Sequence, residues 1–143
     1  MVSDAKGSNR RQAGKLLVAD DQPHILEAIR LLLKPEGYDL ELVRTPALTL
    51  EAIAHEEFDG VLIDLNYERD TTSGQEGLEL VARIKEIDAQ LPVIVMTAWG
   101  NIDLAVEAMR RGASDFIQKP WENARLLSVL RTQTELYRSQ RRM

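Results

Sequence analysis

Short apolar runs alternate with helix-patterned stretches five times between Leu16 and Tyr137, and this alternation restricts the available folds more than any composition figure. Strand followed by helix, repeated, makes a parallel sheet, because each helix must carry the chain back over the sheet before the next strand begins. The runs Leu16 to Ala19, Val61 to Ile63 and Val93 to Met96 are continuously apolar, the pattern of strands covered on both faces. Residues 38–42 (Tyr-Asp-Leu-Glu-Leu) and 114–118 (Ser-Asp-Phe-Ile-Gln) mix polar with apolar side chains, which assigns them to the edges. With the second and fifth strands outside and right-handed crossovers, the strand order is 2-1-3-4-5. The expected fold is α/β: a doubly wound five-stranded parallel sheet with five helices.

The helices are read from spacing and punctuation. Ile25, Ala28, Ile29, Leu32 and Leu33 share one helical face, with Pro23 in the first turn and a stop near Pro35 and Gly37. Thr45 before Pro46 reads as a cap, with Leu50, Ile53 and Ala54 as the buried stripe. Leu80, Val81, Ile84 and Ile87 mark the third helix. In the fourth, Asn101 is the expected cap, Ile102, Ala105, Val106 and Met109 the expected inner face, and Arg110, Arg111 and Gly112 the close. Leu126, Leu127, Leu130 and Tyr137 suggest a long fifth helix whose end is not marked in the sequence.

Composition narrows the function classes. A chain of 143 residues suffices for one core without staples. With no cysteine, disulfides, thiolate zinc sites and cysteine nucleophiles are all excluded. No apolar run approaches the roughly 20 residues that span a bilayer, and the first fifteen residues have no signal-peptide core, so a cytoplasmic protein without membrane contact is expected. The net charge of −5 is uneven: residues 1–15 carry four bases and one acid, residues 138–143 three bases and no acid, leaving −11 between. An acidic body argues against direct nucleic-acid binding. The expected organisation is a flexible arm (1–14), one folded domain (15–138) and a basic extension of the last helix (139–143).

Open parallel sheets bind ligands beyond the carboxyl ends of their strands, where the strand order reverses. There the pattern places Asp20 and Asp21 after the first strand, Asp64 after the third, Thr97 after the fourth and Lys119 after the fifth. Each has an ordinary alternative as a cap or turn residue; their coincidence on one rim is what points to chemistry. Clustered carboxylates repel unless a cation sits among them, and an all-oxygen donor set suits Mg²⁺ or Mn²⁺. A carboxylate can accept a phosphoryl group, which places Asp64 as acceptor, with Lys119 and Thr97 stabilising the phosphoryl oxygens.

The motifs VADD, VLIDL, VMTA and RRGASDFIQKP, spread over about residues 15 to 138, resemble the receiver domain of two-component response regulators, a flavodoxin-like fold. The stretch AVEAMRRGASDFIQKP is most similar to receivers of NtrC-like, sigma-54-dependent activators. By that resemblance Asp64 is the phosphoacceptor, and Asp20, Asp21, Asp64 and the backbone carbonyl of Asn66 hold the metal. Thr97 and Phe116 are the switch pair, Lys119 the essential lysine, and the Lys119-Pro120 bond is cis. The resemblance also implies a sensor histidine kinase as donor. It further implies an output face of the fourth helix, fifth strand and fifth helix, which could pair two copies. An output domain, AAA+ and DNA-binding in such activators, would lie outside this chain; a stand-alone relay is the alternative.

Departures from the family pattern carry their own expectations. The segment from Asn66 to Gly77 is about five residues longer than usual and lacks the usual proline; it either covers the site, discriminates the kinase, or is a tolerated insertion. Trp99, two residues after Thr97, occupies the position controlling water access, and with Asn66 offering no acid or base, slow autodephosphorylation is expected; the alternative is an indole packed outward. Phe116 lacks the hydroxyl of the commoner tyrosine, and Trp121 could anchor a partner or be half-buried core. His24 and His55 read as surface residues. A haloacid-dehalogenase-type phosphatase would need a second aspartate where Asn66 stands. A flavodoxin-like nucleotide binder would need a phosphate loop where Asp20-Asp21-Gln22-Pro23 stands.

Overall fold

The computed structural model describes residues 13–65 and 75–141. Five strands, β1 (Lys15–Ala19), β2 (Asp39–Val43), β3 (Gly60–Asp64), β4 (Val93–Ala98) and β5 (Asp115–Lys119), alternate with five helices. These are α1 (Pro23–Leu33), α2 (Pro46–His55), α3 (Gln75–Ile87), α4 (Ile102–Arg110) and α5 (Asn123–Arg141). The sheet is parallel throughout, in the order β2-β1-β3-β4-β5. The edge strands are those with mixed polarity, and β1, β3 and β4 lose nearly all their surface.

Alternate residues of each strand feed two cores. Leu16, Val18, Leu62, Ile94, Met96 and Ile117 pack with Leu26, Ile29 and Leu33 of α1 and Leu126, Val129 and Leu130 of α5. Leu17, Ala19, Val61, Ile63, Val93 and Val95 pack with residues of α2, α3 and α4. Two helices cover one face and three the other, so burial on both faces follows from the period of two along each strand.

Helix boundaries follow the sequence signals in most places. Pro23 opens α1, and a single 3₁₀ turn over Lys34–Glu36 ends at Gly37, whose φ of 95° suits a residue without Cβ. Thr45 caps α2 by accepting the Leu48 N–H at 3.1 Å. Asn101 stands before α4, but its side chain makes no capping hydrogen bond, contrary to expectation.

Four expected stripes need correction. In α4 the buried residues are Leu104, Ala105 and Ala108, whereas Ile102, Val106 and Met109 are 40–48% exposed. In α2, Ala54 is exposed, and Thr49 and Ala52 are buried instead. Thr49 is tolerated inside because its hydroxyl donates to the Thr45 carbonyl at 2.8 Å. Ile87 at the end of α3 and Ala28 in α1 are exposed.

At the amino-end rim, α5 is tied down by its last turns. The Tyr137 hydroxyl donates to Asp88 Oδ2 at 2.7 Å, and Arg141 pairs with Glu57 and with Asp59 at 3.5 Å. Gly14 is buried and its carbonyl accepts the Asp39 N–H at 2.9 Å. No described helix is long and apolar enough to cross a membrane.

Candidate functional site

At the carboxyl rim the strand ends bring together the five expected residues. Asp20 follows β1, Asp64 ends β3, Thr97 lies in β4 and Lys119 ends β5. Because β1, β3, β4 and β5 are neighbours in register, their final side chains meet. Asp20, Asp64 and Thr97 are buried, while Asp21 is half-buried. Asp20 is fixed locally: its N–H donates to the Val43 carbonyl at 3.1 Å and its Oδ1 accepts the Gln22 N–H at 2.9 Å.

Lys119 Nζ lies 2.9 Å from Asp20 Oδ2 and 3.2 Å from Asp64 Oδ2, so one ammonium spans two buried carboxylates. One carboxylate oxygen from each of Asp20, Asp21 and Asp64 falls within 4.8 Å of the others. Three acids against one base leave an excess of negative charge in a site largely shut off from water. That excess, presented entirely by oxygens, fits a small hard divalent cation. Among the described residues, the buried Thr97 Oγ1 has no hydrogen-bond partner, so a donor hydroxyl is held beside the acids with nothing to bind. The Lys119-Pro120 bond is cis, as the resemblance implied.

The remaining expected residues are spread around this centre. Phe116 is half-buried in β5, packed against the core beneath α2, α3 and α4, and its carbonyl accepts from Arg125 of α5 at 3.3 Å. Trp99 is 78% exposed. Trp121 is half-buried against the α1/α5 core, its indole N–H donating to Asn123 Oδ1 at 3.0 Å. His24 and His55 are exposed, as expected. Asn66 and the extended segment through Gly74 lie outside the described residues.

Two supports were not anticipated. Arg44, just past β2, donates to the Asp21 carbonyl at 3.1 Å; strand order places β2 beside β1, but nothing in the sequence marks this arginine. Gly77 of α3 is buried, with its Cα facing the backbone of Leu65. The sequence offers Gly77 only as the end of the longer segment, and the packing gives its reason.

Comparison with known proteins agrees with this geometry. The response regulator receiver domain family matches residues 16–131. The C4-dicarboxylate transport transcriptional regulatory protein DctD of Pseudomonas aeruginosa is 35% identical over 125 residues, covering 87% of this chain and 26% of that protein. The nitrogen assimilation regulatory protein NtrX of Azorhizobium caulinodans is 33% identical, over 90% of this chain and 28% of its own. The chain thus spans little more than a quarter of the length of either regulator. Among solved structures, NtrX from Brucella abortus superposes with a TM-score of 0.81 at 32% identity, over 90% of this chain and 29% of that one. The signal receiver domain of an HD domain-containing protein from Pseudomonas fluorescens gives 0.80 at 28% identity, over 90% and 91% of the two chains. With the five-stranded order, the acid cluster and the bridging lysine in place, the chain belongs to the response regulator receiver domain family.

Proposed function

We propose that this domain, acting in the cytoplasm, takes a phosphoryl group from a sensor histidine kinase onto Asp64 and thereby changes its output face. The observation that carries the proposal is the grouping of the Asp20, Asp21 and Asp64 carboxylates within 4.8 Å, with Lys119 bridging two of them. Asp20, Asp21, Asp64 and the Asn66 backbone carbonyl would hold Mg²⁺ or Mn²⁺. A bound divalent ion supplies neutralisation of the phosphoryl oxygens at an otherwise anionic site.

An Asp64 carboxylate oxygen attacks phosphorus as the bond from phosphorus to the donor's imidazole nitrogen breaks. An acyl phosphate forms and the imidazole leaves with the electron pair. Lys119 stays within reach of the new group and offsets part of its charge. Thr97 gains the acceptor its buried hydroxyl lacks, and drawing it toward the phosphoryl group frees space toward Phe116. The switch is a shift between two packings of α4, β5 and α5. The apolar stripe Ile102, Val106 and Met109, exposed on α4, belongs to that face and would meet a second copy or an output domain. The likeness to DctD and NtrX supports an output of the sigma-54 activator type, carried by AAA+ and DNA-binding parts of a longer regulator.

Intact-mass measurement after incubation with acetyl phosphate and Mg²⁺ tests the chemistry. One added phosphoryl group on the wild type and none on Asp64→Asn is expected. No addition on the wild type, or equal addition on the variant, refutes it.

A further inference from the structure

Gly77 is the third residue of α3 and is buried. Its φ lies outside the left-handed region, so conformational freedom does not explain it; space does. A Cβ built there would stand 2.6 Å from both Cα and O of Leu65 and 2.9 Å from its carbonyl carbon. All three are backbone atoms, with no side chain that could swing aside. Ordinary contact begins near 3.4 Å, so about 0.8 Å must come from moving main chain, and close-packed interiors transmit such strain rather than absorb it.

Both sides of this contact are held. Leu65 directly follows Asp64, is fully buried, and donates its N–H to the Met96 carbonyl at 3.0 Å. Just beyond Gly77, Leu78, Leu80, Val81 and Ile84 anchor α3 in the core. Asp64 closes β3 beside Met96 of β4, and its carboxylate lies 3.2 Å from Lys119 Nζ. We infer that Gly77 is a positioning residue for Asp64: the bare Cα lets α3 rest on the Leu65 backbone and fixes where the acceptor carboxylate stands. This rests on the assignment of Asp64 as phosphoacceptor. Displacement of a reacting group by an ångström, caused from outside the reacting atoms, is enough to slow a transfer strongly.

The test compares Gly77→Ala with Gly60→Ala in the full chain. Gly60 opens the same strand at its other end, and a Cβ there would meet only the side-chain atoms Leu16 Cδ2 and Thr134 Cγ2, at 3.1 and 3.2 Å. The rate of phosphorylation by acetyl phosphate with Mg²⁺ is followed by intact mass, well below each variant's melting temperature. Gly77→Ala is expected to be slower by about tenfold or more, with Gly60→Ala within about twofold of wild type. A Gly77→Ala rate within about twofold of wild type, or an equal loss in Gly60→Ala, overturns the inference. Should Gly77→Ala be unfolded in buffer, the three rates are compared in trimethylamine N-oxide, which favours the compact state. If the wild type takes up no phosphoryl group, the acceptor reading fails and hydrogen exchange decides the positioning role. Faster exchange of the Leu65 amide in Gly77→Ala than in Gly60→Ala supports it, and equal exchange overturns it.

Discussion

Thr97 keeps a hydroxyl inside the protein with no partner among the described residues, an arrangement that costs about 1–3 kcal/mol relative to an apolar group of the same shape. Thr97→Val is therefore expected to stabilise the unphosphorylated chain by about 1 kcal/mol in urea denaturation, while phosphorylation by acetyl phosphate slows. A parallel argument applies to the acids. Three carboxylates cluster here, while the Lys119 ammonium pairs with Asp20 and Asp64, so Asp64→Asn removes repulsion and should raise the melting temperature in EDTA by roughly 3–5 °C. Added Mg²⁺ should narrow that gap by stabilising the wild type more, a difference that calorimetry with and without the ion would reveal. The acids, Thr97 and Lys119 were legible in the sequence because each follows or closes an apolar run, and a parallel sheet sends all such ends to one rim. Gly77 and Arg44 were less so: one is explained by distance to a backbone, the other by an edge strand's neighbour, and neither leaves a periodic trace.

Among the elements, α4 shows how hydrophobic periodicity misleads. Its nine residues contain two apolar faces, and the larger side chains, Ile102, Val106 and Met109, lie on the exposed one, while Leu104, Ala105 and Ala108 make the close approach to the sheet. Spacing alone weighs bulk; packing against a sheet favours small residues where backbones come near. The far end of α5 was open in the sequence because tertiary contacts hold it. Burial, together with the Asp88 carboxylate that accepts its proton, pushes the Tyr137 phenol up to about 12. Burial alone would raise the Asp88 carboxyl, yet hydrogen bonds from Tyr137 and from the Gln90 and Leu91 N–H groups bring it below its ordinary value. With the phenol's folded value raised above its ordinary 10, the contact contributes fully below pH 10 and is lost as pH rises through 12. Stability measured by urea denaturation should fall across that window in the wild type, and Tyr137→Phe should flatten this part of the profile.

Across the whole molecule the two rims have separate duties. The acids and Lys119 occupy the carboxyl rim, while Tyr137 and Arg141 pin α5 to Asp88, Glu57 and Asp59 at the amino rim. Ending the chain after Leu136 should cost about 3 kcal/mol of stability, chiefly from the lost Tyr137 ring. Asp64 phosphorylation at low temperature should be unchanged, as intact mass would show; a parallel loss of phosphorylation would mean that the rims are coupled. The bridge from Lys119 to Asp20 joins positions 99 apart in sequence, across a sheet whose last strand must pair before the ammonium arrives. A nascent or half-unfolded chain therefore has these acids without the Lys119 ammonium that pairs with two of them. On the proposed function, the domain would become able to take a phosphoryl group only when its folding is finished, and an incomplete copy would be silent toward a donor.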